Sequence, residues 1–121
     1  MRILVLDDDE DLARVLAAGL RAANCTVHVC NSPDAALKEI SKEDVLLTDY
    51  HMPVMNGLEV AKAAYSHGWR GILFIMSGHR FTIRERLEHP LLRGVLDKPF
   101  SVRNFAKMLQ ESVGGDIPYR S

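Results

Sequence analysis

Residues 45–53 read VLLTDYHMP, and they set two tendencies against each other. Val45, Leu46 and Leu47 form the continuous apolar run of a strand buried on both faces, a pattern found in parallel sheets. Asp49 then puts a charge at the end of that run, where burial of a carboxylate is costly. Within a few residues Pro53 and Gly57 end any regular pattern. A carboxylate at the tip of an apolar strand, on the lip of a loop, needs a reason beyond packing.

Working outward, short apolar runs alternate with amphipathic stretches. Ile3–Leu6, Thr26–Val29, Val45–Thr48, Ile72–Met76 and the short Val95–Leu96 read as strands. Leu12, Val15, Leu16 and Leu20 fall at helical spacing, with Asn24 as the stop. Ser32-Pro33-Asp34 is a helix start: Ser32 can cap free N–H groups, Pro33 lacks a donor where none is needed, and Asp34 meets the positive end of the dipole. That helix runs to about Ile40, with Ala36, Leu37 and Ile40 facing inward. Further helices are predicted at Leu58–Tyr65, stopping near Gly68, and at Thr82–Glu88, cut short by Pro90. A last helix is capped by Ser101, with Val102, Phe105, Ala106, Leu109 and Val113 as its apolar stripe, and Gly114-Gly115 ends it. Five strands alternating with five helices predict an α/β fold: a doubly wound, five-stranded parallel sheet of order 2-1-3-4-5, the flavodoxin-like arrangement. Ligands of such sheets bind beyond the carboxyl ends of the strands, at the point where the strand order switches.

A chain of 121 residues suits one domain. It is 47% hydrophobic and 26% charged, with a net charge of −1, so bulk electrostatics gives no case for nucleic-acid or membrane contact. Its apolar runs fall far short of the ~20 residues of a membrane helix. MRILVL at the start has no cleavage-like region and reads as a strand rather than a signal peptide. Cys25 and Cys30 are five apart in one extended segment, which sends their side chains to opposite faces; free thiols suit a reducing, cytoplasmic setting.

The polar residues gather at one edge. The first strand ends in Asp7-Asp8-Asp9, the third in Asp49, the fourth in Ser77 and the fifth in Asp97-Lys98. Asp9 reads as the N-cap or first-turn acid of the first helix. Acids on adjacent tips repel by roughly 4 kcal/mol per close pair at an effective dielectric near 20. Lys98 offsets one charge, and a divalent cation would offset two more. An all-oxygen donor set suits Mg²⁺. Mg²⁺, a lysine, a hydroxyl and one exposed carboxylate are the parts of a phosphoryl-transfer site in which the carboxylate attacks.

Asp7-Asp8, the run LLTDYHMPVMNGLEV, Ser77-Gly78 and Lys98-Pro99-Phe100 resemble the receiver domain of two-component response regulators, and single-domain chemotaxis-type receivers in particular. The resemblance runs from about residue 2 to about 113, leaving 114–121 as a tail or the start of a linker. It implies a cytoplasmic phosphorelay module that takes a phosphoryl group on Asp49 from a histidine kinase or histidine phosphotransfer protein. It would then signal to an output domain or downstream protein, without membrane or direct nucleic-acid contact. Asp8 matches the direct Mg²⁺ ligand, Asp7 the acid acting largely through water, and His51 the residue whose backbone carbonyl completes the metal shell alongside Asp49. Ser77 matches the hydroxyl that moves to the phosphoryl group, Lys98 the lysine that pairs with its oxygens, and Pro99 a proline usually preceded by a cis peptide. Pro53 and Gly57 match residues that shape the loop. Such a module is no turnover enzyme, catalysing only its own phosphorylation and dephosphorylation.

Departures from the family pattern are specific. Val95 stands where receivers often carry Tyr or Phe, Pro90 interrupts a region where a longer helix is common, and His51 and His79 follow Asp49 and Ser77 by two places. Residues 79–93 hold four arginines and two histidines against two glutamates, on the side where receivers often meet their output partner, around the 82–88 helix, the fifth strand and the last helix. Two other readings use the same residues. LDDDEDL superficially resembles the D-x-D opening of haloacid-dehalogenase-type phosphatases, Mg²⁺-dependent enzymes with an aspartyl nucleophile, although Asp11 replaces their Thr or Val and there is no room for a cap. The other is a degenerate receiver used only for protein binding.

Overall fold

The computed structural model describes residues 1–78 and 88–113, the last two of these by backbone alone. The apolar runs form β1 (Arg2–Leu6), β2 (Thr26–Cys30), β3 (Val45–Asp49), β4 (Ile72–Ser77) and β5 (Leu92–Asp97). They pair in parallel in the order β2-β1-β3-β4-β5, as the alternating pattern predicts. Between them lie α1 (Glu10–Ala22), α2 (Pro33–Glu39), a 3₁₀ turn at Ile40–Lys42, α3 (Gly57–Ser66) and, after β5, α4 (Val102–Val113). Residues 82–87 of the predicted 82–88 helix, the 114–121 tail and the side chain of Val113 lie outside the described residues.

Strand alternation divides the core in two. Ile3, Val5, Val45, Leu47, Phe74 and Met76 pack against α1 and α4, with Phe105, Ala106 and Leu109 from α4. Leu4, Leu6, Leu46, Leu73 and Ile75 pack against Ala36 of α2 and Val60, Ala61 and Ala64 of α3. Every residue of β3 is buried, which makes it the centre of the sheet. The cysteines follow the same rule, Cys25 joining the first cluster and Cys30 the second. Both are free, and burial pushes both thiols up.

Local signals set the helix ends. Asp9, Ser32 and Ser101 accept from the backbone N–H of Leu12, Ala35 and Asn104 at 3.1, 3.3 and 3.0 Å, so all three predicted caps form. Asn24 takes φ 69° just after α1, and Gly68 takes φ 100° after α3; Asn and Gly tolerate this left-handed conformation best.

Two expectations need correction. Val15 does not face the core: it is 62% exposed, while Ala13, Leu16, Ala17 and Leu20 are buried. The small alanines let α1 sit close to the sheet along their own line and turn the buried stripe away from Val15. The fifth strand is also longer than Val95–Leu96. Gly94 pairs with Phe74 and Leu92 with Leu73, leaving Arg93 as an irregularity between them, and a bulged Arg-Gly hides the strand from any periodicity count. Among the described residues no helix is long and apolar enough to cross a membrane.

The burial contrast gives a stability test. Leu47→Ala should destabilise by about 3 kcal/mol through lost contacts and a cavity, whereas Val15→Ala should stay within about 0.5 kcal/mol. Urea unfolding at constant slope measures both.

Candidate functional site

β1 and β3, adjacent in the sheet, deliver Asp7, Asp8 and Asp49 to its carboxyl edge. Asp7 is fully buried. Its Oδ1 accepts the Asp9 N–H at 2.9 Å and its Oδ2 accepts from the Lys98 ammonium at 3.1 Å. The same ammonium lies 3.4 Å from Asp49 Oδ1. Asp49 is only 7% exposed, and Asp8 projects into solvent. One oxygen from each of the three acids lies within 4.8 Å of the other two. Ser77 is buried at the tip of β4, paired in register with Asp97 of β5. Its carbonyl accepts the Lys98 N–H at 2.8 Å, which fixes where the lysine leaves the strand. The Lys98–Pro99 peptide is cis, as the sequence suggests.

The loop after Asp49 is held on its backbone. Tyr50 donates its N–H to the Met76 carbonyl at 2.8 Å, and Gly57 donates to the Tyr50 carbonyl at 2.9 Å. Gly57 is obligatory for a second reason: a Cβ there would run into the carbonyl oxygen of Asp49 and the side chain of Thr48. The fully buried Thr48 hydroxyl donates to that same carbonyl at 3.0 Å. Asn56 and Glu59 close a reciprocal capping box at the start of α3, an N-x-x-E spacing visible in the sequence but unread there. His51 is exposed, with its ring edge-on to Tyr50 at 4.9 Å. Among the described residues, the group of candidate metal-ligating side chains is Asp7, Asp8 and Asp49, without an imidazole. His79 lies outside the described residues.

Among the described residues, Lys98 alone does not balance the acids at this edge. Burial pushes the Asp49 carboxyl up, the Asp7 charge adds to this, Lys98 opposes it, and Asp8 raises it further. A carboxyl raised in the folded state adds stability below the ordinary aspartate range and loses it as pH climbs through the folded value. At neutral pH the charged Asp49 therefore costs stability. Lys98 supplies one positive charge for three carboxylates, and their oxygens converge closely enough to share a small cation. Hard, all-oxygen donors fit a divalent ion of the Mg²⁺ or Ca²⁺ type rather than zinc or copper.

The sequence matches the response regulator receiver domain over residues 3–110. It is 30% identical over 113 residues to the response regulator receiver protein CpdR of Brucella abortus (strain 2308), covering 91% of this chain and 94% of that protein. Among solved structures, a sensor protein from Polaromonas sp. JS666 superposes with a TM-score of 0.80 at 23% identity, over 93% of this chain and 95% of the other. The response regulator TrrA from Thermotoga maritima, solved with Mg²⁺-BeF, gives 0.78 at 21% identity, over 91% and 96%. The chain belongs to the response regulator receiver domain family, the receiving modules of two-component signalling.

Met55 donates its N–H to the Pro53 carbonyl at 2.8 Å, a γ-turn with Val54 at its centre at φ 74°. A β-branched residue is strained there, and the Val54 side chain, 97% exposed, gains no packing in return. Val54→Asn, which tolerates that backbone, should raise stability by about 1 kcal/mol in a urea titration.

Proposed function

We propose that Asp49 is the phosphoacceptor. The observation that carries this is the Lys98 ammonium shared between Asp7 and Asp49 at 3.1 and 3.4 Å, beside a third acid within metal-sharing distance. An oxygen of Asp49 bonds to the phosphorus of a donor phosphohistidine as the P–N bond breaks, and the departing imidazole takes up a proton. Lys98 then divides its ammonium between Asp7 and the new phosphoryl oxygens, and the Ser77 hydroxyl, one strand away, donates to them as well. Asp8 directly, Asp7 largely through water, and Asp49 with the backbone carbonyl of His51 would hold Mg²⁺, which would supply positive charge to stabilise the transferring phosphoryl group. Asp49 sits at the end of a buried, backbone-locked strand, which holds the nucleophile at a fixed place on the sheet's carboxyl edge.

The donor in this reading is a histidine kinase or histidine phosphotransfer protein in the cytoplasm. The recipient of the signal is an output domain or a separate protein reading β5, α4 and the segment between β4 and β5. Residues 1–113 form the receiver and 114–121 its tail or linker. No aromatic ring at position 95 is needed: Val95 is 41% exposed on β5, and the readout in this reading runs through Ser77 at the tip of β4 and Lys98 just after β5, joined by the Lys98 N–H to the Ser77 carbonyl. The domain acts on itself alone, with no membrane or nucleic-acid contact.

Intact-mass measurement after incubation with acetyl phosphate should show one added phosphoryl group, only with Mg²⁺, and none in Asp49→Asn. Mg²⁺ at a hundredfold above its dissociation constant should stabilise the wild type by about 2.7 kcal/mol, with much less gain in Asp8→Asn. Without metal, Asp49→Asn should unfold at higher urea than wild type, because the raised carboxyl no longer has to carry charge. Unchanged mass together with indifference to Mg²⁺ would overturn the assignment.

A further inference from the structure

We propose that His89 is a proton-released latch fastening the segment that enters β5 onto α3. Nδ1 accepts the backbone N–H of Leu91 at 3.1 Å, a bond that only the neutral imidazole can make, and the ring also hydrogen-bonds the carbonyl of Ala61 in α3. With Nδ1 accepting, the neutral ring carries its proton on Nε2. The ring stands edge-on to Tyr65 of α3, centroids 5.4 Å apart at 86°. Arg70 stacks on Tyr65 at 3.7 Å, Lys62 adds a positive charge from α3, and Glu88 precedes the ring in the chain.

Protonation converts Nδ1 from acceptor to donor, so that it faces the Leu91 N–H donor to donor. The bond is then lost, and the ring must turn out or the turn must open. Burial, followed by the charge on Lys62, holds the imidazole below the ordinary histidine range, while the Ala61 carbonyl opposes them. A histidine lowered in this way contributes stability above about pH 6.5 and loses it as pH falls through its folded value. The geometry gives the loss a location. Leu91 and Leu92 pack against the second core cluster, the Leu91 carbonyl accepts the Leu73 N–H at 3.0 Å, and the His89 carbonyl accepts the Leu92 N–H at 3.1 Å. Acid thus frees the start of the strand whose far end carries Lys98, while the centre of the sheet stays paired.

Amide hydrogen exchange by NMR on the intact chain tests this, because Leu91 has its own reporter N–H and Leu47 reports global unfolding. Corrected for intrinsic rates, the opening equilibrium at Leu91 should rise about three- to tenfold from pH 7.5 to 5.0, with Leu47 changing less. His89→Asn keeps an acceptor for the Leu91 N–H at every pH and should stay protected at both; His89→Ala should be open at both. Equal protection of wild-type Leu91 at the two pH values overturns the latch. So does a rise in His89→Asn as large as in wild type, which would assign the effect to another group.

Discussion

The Lys98 ammonium, 3.1 Å from Asp7 and 3.4 Å from Asp49, is the constraint on which the working edge of this sheet depends. Asp7 has no exposure at all, and a buried carboxylate stripped of its partner costs about 3–5 kcal/mol. The lysine cannot be supplied from just anywhere. It reaches the acids because β5 pairs in register with β4 through Ser77 and Asp97, and because its own N–H is tied to the Ser77 carbonyl at 2.8 Å. The register of an edge strand is thereby tied to the charge balance two and three strands away, at Asp49 and Asp7. The bridge also leaves the acids only partly compensated, which keeps the edge receptive to further positive charge.

The rest of the fold makes that edge rigid. β3 is buried along its whole length, with α1 and α4 on one face and α2 and α3 on the other. The backbone carbonyl of Asp49 at its tip accepts from the Thr48 hydroxyl and is closely approached by Gly57, which fixes the residue that carries the carboxylate. Adaptability is left to the loop residues, including the strained, solvent-facing Val54. The division has a physical origin: central parallel strands have every backbone group paired, whereas the turns beyond their ends depend on single hydrogen bonds.

The strand order and the gathering of acids, hydroxyl and lysine were legible because they rest on long-range regularities, apolar runs and the switch point of an open sheet. What was not legible depended on local trade-offs. Val15 has the hydropathy of a core residue, but Ala13 and Ala17 set how closely α1 approaches and leave it outside. Of β5 only Val95–Leu96 stands out in the sequence, because a bulged Arg93 and a side-chain-free Gly94 erase the alternating pattern. The γ-turn at Val54 runs against residue preference, so no propensity argument would have placed it. The Asn56–Glu59 box was an open signal that went unread, and the buried hydroxyl of Thr48 had none, since a threonine inside an apolar run looks like any β-branched strand residue.

Trp69 is the chain's one tryptophan. Its indole Nε1–H donates to the Glu43 carbonyl at 2.9 Å, and the ring lies against Gly71. Glu43 precedes β3 at the end opposite Asp49, six residues and about 20 Å of extended chain away. The indole is thus placed to report whether that end of the sheet is assembled, away from the rim where cations or covalent change would act. Tyr50, joined to that rim by its own peptide bond, is the native chromophore placed to sense them.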